Sequence, residues 1–296
     1  MSDFLGELGK KLAERWVALL ALPGLAYVAA AMVAAMSGWA HAVDVAHLSR
    51  RIGAWAGAAD VRSTGGAILV VAAVLAGSIL AGFVATALGR LIEIIWTLPG
   101  RRPPASWLTA RRHRLSRLAK QDADTAQSPR EITAAIARAD QLSLLQAERP
   151  TWIGDRLLAC RIRIERAYGL DLDVIWPRLW PILPDSLRAD LLGARQGYAA
   201  AARLYGWTVM YLALASWWWP ALLIGLATAV AAQTGARRAT VLVTALVESA
   251  VDLHAGDLAA RLGLAPASAT PSPTEGAVIT ARLRRSRWDP QSPLAE

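Results

Sequence analysis

The chain has a single cysteine, Cys160, which excludes an intrachain disulfide framework. Its four histidines, His41, His47, His113 and His254, are scattered, and no Cys/His cluster has metal-ligand spacing. No phosphate-binding loop, nucleophile elbow or zinc-protease motif occurs, so the sequence gives catalysis no support and implies neither cofactor nor metal. Lysine is scarce as well. Only Lys10, Lys11 and Lys120 are present, and arginine supplies the rest of the basic side chains behind a formal net charge of +9. The abundance of Arg and Ala looks like codon bias, so Ala periodicities carry less weight.

The most informative absence is that of charge. No charged side chain lies between Leu204 and Ala236, and two further uncharged stretches run from Trp16 to Val43 and from Ser63 to Gly89. Each is longer than the roughly 20 apolar residues needed to cross the hydrocarbon core. With 55% hydrophobic and 19% charged residues, the composition also departs from that of soluble domains in the same direction. The first run is too long for the apolar core of about 7–15 residues in a cleavable signal peptide, so it reads as a retained span.

Arginine and lysine near the span ends set the orientation, because cytoplasmic flanks retain positive charge. Seven bases and no acid lie between Arg101 and Lys120. The loop between the first two spans balances Arg50, Arg51 and Arg62 against Asp44 and Asp60, while Arg195 and Arg203 precede the third stretch and Arg237 and Arg238 follow it. These flanks predict a plasma-membrane protein with cytoplasmic N- and C-termini. That topology requires the third stretch to turn back, and Trp217-Trp218-Trp219-Pro220 near its middle offers the turn, since Trp prefers the interface and proline disfavours helix at the residue before it. A single kinked span over 204–236 is the competing expectation.

The expected fold class is all-α, with about four transmembrane helices in two hairpins and a helical cytoplasmic domain. Residues 1–15 form an interfacial or cytosolic segment, and 16–97 form the first hairpin with an external loop at about 40–64. Residues 98–198 are a helical cytoplasmic region, 199–236 the second hairpin, 237–264 a cytoplasmic amphipathic helix and 265–296 a disordered tail rich in Ala, Pro, Ser and Thr. Within the central region Ser128-Pro129-Arg130-Glu131 has capping-box form. A helix is expected from Thr151 to Gly169, a short one capped by Asp171, and another capped by Asp185 that continues into the third apolar stretch. Asp171, Asp173, Asp185 and Asp190 are the nearest approach to a carboxylate cluster, and helix capping accounts for two of them.

At Tyr168-Gly169-Leu170-Asp171, Trp176-Pro177-Arg178-Leu179-Trp180 and Leu183-Pro184-Asp185, the chain resembles a group of uncharacterised bacterial membrane proteins, mostly from actinobacteria. The Trp-rich hairpin and Val251-Asp252-Leu253-His254 extend the resemblance over roughly Pro150 to Leu264, although relatives often carry an aromatic where this chain has Val251. The resemblance supports the layout and implies no activity.

Two sets of residues are candidates for interaction. Arg101, Arg102, Arg111, Arg112, Arg114 and Arg117, with Trp107 among them, follow a span directly and are expected to contact anionic lipid, worth about 1 kcal/mol for each base near the surface. Nucleic acid is disfavoured, because the run lacks a recognisable binding module. Ala73, Gly77, Ala81, Ala85 and Gly89 recur every four residues along the second span and would let another helix approach closely, in the same chain or in a homo-oligomer. The middles of the spans lack any carboxylate, His, Lys or Arg, which disfavours proton-coupled transport. The leading expectation is a non-enzymatic interaction or scaffold protein that engages an unidentified cytoplasmic protein partner at the inner leaflet. The alternative is an oligomeric channel or membrane-permeabilising component lined by Thr86, Thr208, Ser216, Thr228 and Gln233.

Overall fold

The computed structural model describes residues 22–57, 63–99, 107, 109–111, 114, 149–264 and 270–285. Every regular element among them is helical: α1 (Leu22–Ser37), α2 (Val45–Ala56), α3 (Thr64–Thr97), α4 (Trp152–Tyr168), α5 (Leu172–Leu179) with a 3₁₀ turn at Trp180–Ile182, α6 (Asp185–Leu214), α7 (Pro220–Arg261) and α8 (Pro273–Arg285). Helices α3 and α7 are long and apolar enough to cross a membrane. Helix α1 as described has 16 residues, and α6 carries several charges in its first half, so the expected count of four spans reduces here to two helices with the required length and character.

The described residues fall into two compact units, one within Met1–Glu93 and Ala199–Thr234, the other within Ile94–Tyr198 and Gly235–Glu296. In the first unit, close contacts between helices define an antiparallel arrangement. Gly24 of α1 lies so near α3 that a Cβ there would overlap the Ser78 carbonyl, while Gly77 faces Val28 one turn further along α1. On α6, a Cβ at Gly206 would overlap the Ala85 carbonyl, and a Cβ at Gly89 would come within 2.9 Å of the Arg203 backbone. Pairs at 24/78 and 28/77, then 85/206 and 89/203, climb one helix while descending the other. The α6–α7 pair repeats this pattern, with Tyr205 donating to Gln233 and Thr208 lying 3.2 Å from Thr228. Ala81, Ala85, Trp207, Met210, Tyr211 and Ala221 form the core, against which Tyr27 packs its ring edge-on to Tyr211 at 5.3 Å.

The loop assigned to residues 40–64 is not irregular throughout. Asp44 accepts from the His47 backbone N–H at 2.8 Å and so starts α2, whose exposed arginines and apolar residues alternate at helical spacing. The Trp-rich segment does turn: α6 ends at Leu214, residues 215–219 reverse the chain and α7 begins at Pro220, where proline's missing N–H costs nothing. The Trp218 indole N–H donates to the Ala42 carbonyl at 3.0 Å, tying this turn to the loop after α1.

Three expectations need correction. The helix expected to end near Gly235 and the separate amphipathic helix of 237–264 are one element, α7, because a lone Gly235 costs only about 1 kcal/mol and no proline intervenes. Asp185 does not cap α6; it occupies the first turn, pairs with Arg188, and leaves Pro184 to supply the first carbonyl to the Arg188 N–H at 3.0 Å. The tail is not disordered throughout. Residues 273–285 form α8, begun by Ser272 and Glu275 in a reciprocal box, with the Ser272 backbone N–H donating to Glu275 at 2.7 Å. Residues 1–15, the expected helix after Ser128 and residues 286–296 lie outside the described residues.

The contrast between Gly77 on α3 and Gly206 on α6 gives a test. Gly77→Ala has room, with Val28 Cγ2 at 3.6 Å from the added Cβ, and should leave thermal stability in detergent unchanged. Gly206→Ala must displace helix backbone and should lower it, by about 1–3 kcal/mol for an overpacked contact. Equal melting temperatures for the two variants would contradict the close α3–α6 approach.

Candidate functional site

The second unit is built on α4. Thr151 accepts from the Gly154 N–H at 3.1 Å to start it, and Gly169, left-handed at φ 65°, ends it. One stripe, Ile153, Cys160 and Ile164, is buried, with Leu157 and Tyr168 half-buried. Asp171 caps α5 through the Asp173 N–H at 3.0 Å. Ile164, Leu170, Ile175, Leu179, Val251, Leu258 and Ile279 then join α4, α5, α7 and α8 in one core. Each fully buried side chain of this size contributes roughly 1.5–3 kcal/mol. Leu253 of the Val-Asp-Leu-His segment points outward at 71% exposure.

Polar links fix the helix pairs. Tyr168 donates to Asp252 at 2.8 Å, and Arg163 reaches both Asp252 and Glu248 at 3.3 and 3.4 Å, joining α4 to α7. Burial first, then the Asp252 hydrogen bond, raises the Tyr168 pKa, so the phenol stays a donor. Helix α8 docks on the turn at Gly169: Thr280 accepts from the Asp171 N–H at 3.2 Å and donates to the Gly169 carbonyl, while Arg284 pairs with Asp171. A Cβ at Gly276 would overlap the Tyr168 carbonyl, so the helices touch backbone to backbone there.

Between α4, α5, α6 and α7 of this unit lies a cleft of about 680 Å³. Its walls are Leu157, Leu172, Trp176, Trp180, Leu192 and Val247, and Cys160 and Thr244 form its floor. Arg149, Arg161 and Arg195 line it against one carboxylate, Asp173. Arg161 pairs with Asp173, and Arg149 donates to the Thr97 carbonyl. Arg195 is exposed and has no hydrogen-bond or ion-pair partner among the described residues. Thr244 is engaged by Arg156 at 3.2 Å and by the Val241 carbonyl at 3.0 Å. Burial, then the nearby Glu248 carboxylate, pushes the Cys160 thiol up to about 12, which makes it a poor nucleophile at neutral pH. The cleft therefore has a charged rim and an apolar interior, with no activated group on its floor.

The residues singled out in the sequence are distributed differently. Trp107, Arg111 and Arg114 are helical and exposed, Trp107 at 66%, while Arg101, Arg102, Arg112 and Arg117 lie outside the described residues. Along the small-residue ridge Ala73 is exposed, Gly77 half-buried, and Ala81, Ala85 and Gly89 buried, with Gly77 facing α1 and Ala85 and Gly89 facing α6 of the same chain. The four aspartates do not converge: Asp171, Asp173 and Asp185 each pair with a different arginine, and Asp190 joins none of them. His41 and His47 stack at 4.4 Å, and His254 lies 3.1 Å from Asp257; His113 is outside the described residues. The cleft is not legible in the sequence, because its lining comes from separated segments and Arg195 alone reads as a topological charge.

Since folding favours the protonated Cys160 thiol, the stability from this source is complete below its ordinary value of about 9 and is lost as pH rises toward 12. At neutral pH, maleimide should modify Cys160 of the folded chain at least about tenfold more slowly than that of the denatured chain. Equal rates would contradict its burial.

No protein-family model, curated protein or solved structure matches the chain, so its own residues carry the functional reading.

Proposed function

We propose that the chain is an integral membrane protein that crosses the plasma membrane four times as two hairpins and acts, without catalysis, as an interaction component at the inner leaflet. The observation that carries this reading is the sorting of side chains along the first unit. Trp39 and Trp217 are exposed at the end where the Trp218 indole binds the Ala42 carbonyl, and aromatic residues of this kind favour the membrane interface. Arg90 and Arg203 belong to the opposite end, where α3 and α6 meet at Gly89, and among the described residues no Asp, Glu, His, Lys or Arg lies between along these helices. The two loops thus share one side, as two hairpins with cytoplasmic termini require. The exposed leucine, isoleucine and valine side chains along α3, among them Ile68, Leu69, Leu80 and Ile94, suit a lipid-facing surface. Exposed Trp107, Arg111 and Arg114 suit contact with anionic lipid.

The polar residues of the spans favour this reading over a pore. Thr208 and Thr228 bond to each other and to carbonyls one turn back, Gln233 accepts from Tyr205, and Thr86 and Ser216 donate to the Gly82 and Ala213 carbonyls. Each hydroxyl, and the Gln233 carbonyl, is engaged within its own chain, as expected of side chains that stabilise helix pairs.

Thiol labelling in intact cells tests the topology. With Cys160 as the buried background, a membrane-impermeant maleimide should modify Val43→Cys and Ser216→Cys directly and Ser272→Cys only after permeabilisation. Labelling of Ser272→Cys in intact cells would overturn the two-hairpin reading.

A further inference from the structure

We infer that the cleft between α4, α5, α6 and α7 binds an anionic amphiphile, its single apolar chain lying between the Trp176 and Trp180 side and Leu157, Leu192 and Val247, and its phosphate or carboxylate head at Arg195. A volume of about 680 Å³ falls in the range of small-molecule sites, roughly 300–1,000 Å³. Charge selects the head. Three arginines and one aspartate line the cleft; the aspartate is engaged by Arg161, and Arg195 has no partner among the described residues. A guanidinium presents paired donors that match the two oxygens of a phosphate or carboxylate. The interior selects the tail. Leu192 sits on α6 three residues before Arg195 and is 52% exposed, so an apolar side chain and an uncompensated cation share the same mouth. A small polar anion would leave the tryptophan walls wet, and an uncharged hydrocarbon would leave Arg195 without a counterion. Binding without conversion follows from the floor, where the thiol of Cys160 is buried and the hydroxyl of Thr244 already bonds to Arg156 and Val241.

This site gives the interaction unit a ligand class and rests on the proposed function for the ligand's source in the inner leaflet. The full chain in neutral detergent is compared by native mass spectrometry with lysophosphatidic acid, with lysophosphatidylcholine of the same chain length, and with inorganic phosphate. One lysophosphatidic acid should bind per chain, in clear preference to the zwitterionic lipid, and inorganic phosphate should not displace it. Arg195→Ala should weaken this binding about tenfold, as loss of a hydrogen bond to a charged group does, and Arg195→Lys should restore most of it. Equal binding of the two lipids, displacement by phosphate alone, or an unchanged Arg195→Ala variant would each overturn the inference. Arg195 is exposed and makes no internal bond among the described residues, so its loss leaves the fold intact and the comparison remains readable. A photoreactive lysophosphatidic acid should label peptides within 152–195; labelling confined to 64–89 would equally overturn it. The thiol-labelling experiment can fail while this binding persists, which separates the membrane topology from the cleft.

Discussion

Helix pairs in both units meet where a side chain is missing. At Gly24, Gly89 and Gly206 the backbones of α1, α3 and α6 come so close that an added methyl group would strike the neighbouring main chain. At Gly276 the same approach seats α8 on the end of α4. Such contacts bring whole helix surfaces within van der Waals reach, which matters most where lipid replaces water and no hydrophobic effect drives helices together. Once the α3–α6 approach is set, the antiparallel register of the first unit follows, and with it the shared side of the two tryptophan-bearing loops.

Local signals in the sequence were the readable ones. Thr151 and Gly169 bound α4 because a hydroxyl can satisfy an orphan N–H and glycine accepts a left-handed residue at little cost. Asp171 likewise marks α5, and Pro220 after three tryptophans marks the turn. The small-residue ridge is legible as a packing surface, but a four-residue repeat serves an internal and an external partner equally well. Gly206, against which Ala85 packs, lies outside that four-residue repeat.

What escaped has two physical causes. Continuity depends on the absence of a breaker: nothing between Gly235 and Thr240 stops α7, and the change in polarity there does not end the helix. Helix α8 was hidden by composition. Its Ser272-Pro273-Thr274-Glu275 start has the same form as Ser128-Pro129-Arg130-Glu131, yet the surrounding Ala, Pro, Ser and Thr masked Ile279 and Leu283, which bury against α4 and α5 only once the chain has folded back. The cleft is less legible still, since it joins arginines from residues 149, 161 and 195, each ordinary in its own segment. Carbonyl and carboxylate partners occupy two of them, and the third becomes a distinct chemical feature only by being left over.

The central claim is that the close helix contacts close within one chain, leaving the arginine-lined cleft of the second unit as the surface for interaction. The mass of the solubilised protein by light scattering, corrected for bound detergent and lipid, tests it most directly. A mass near 31.6 kDa, that of one chain, is the predicted result. A discrete higher oligomer that dissociates when Gly77 and Ala81 are replaced by leucine would contradict it, since the ridge would then join protomers and a pore between them would become the better reading.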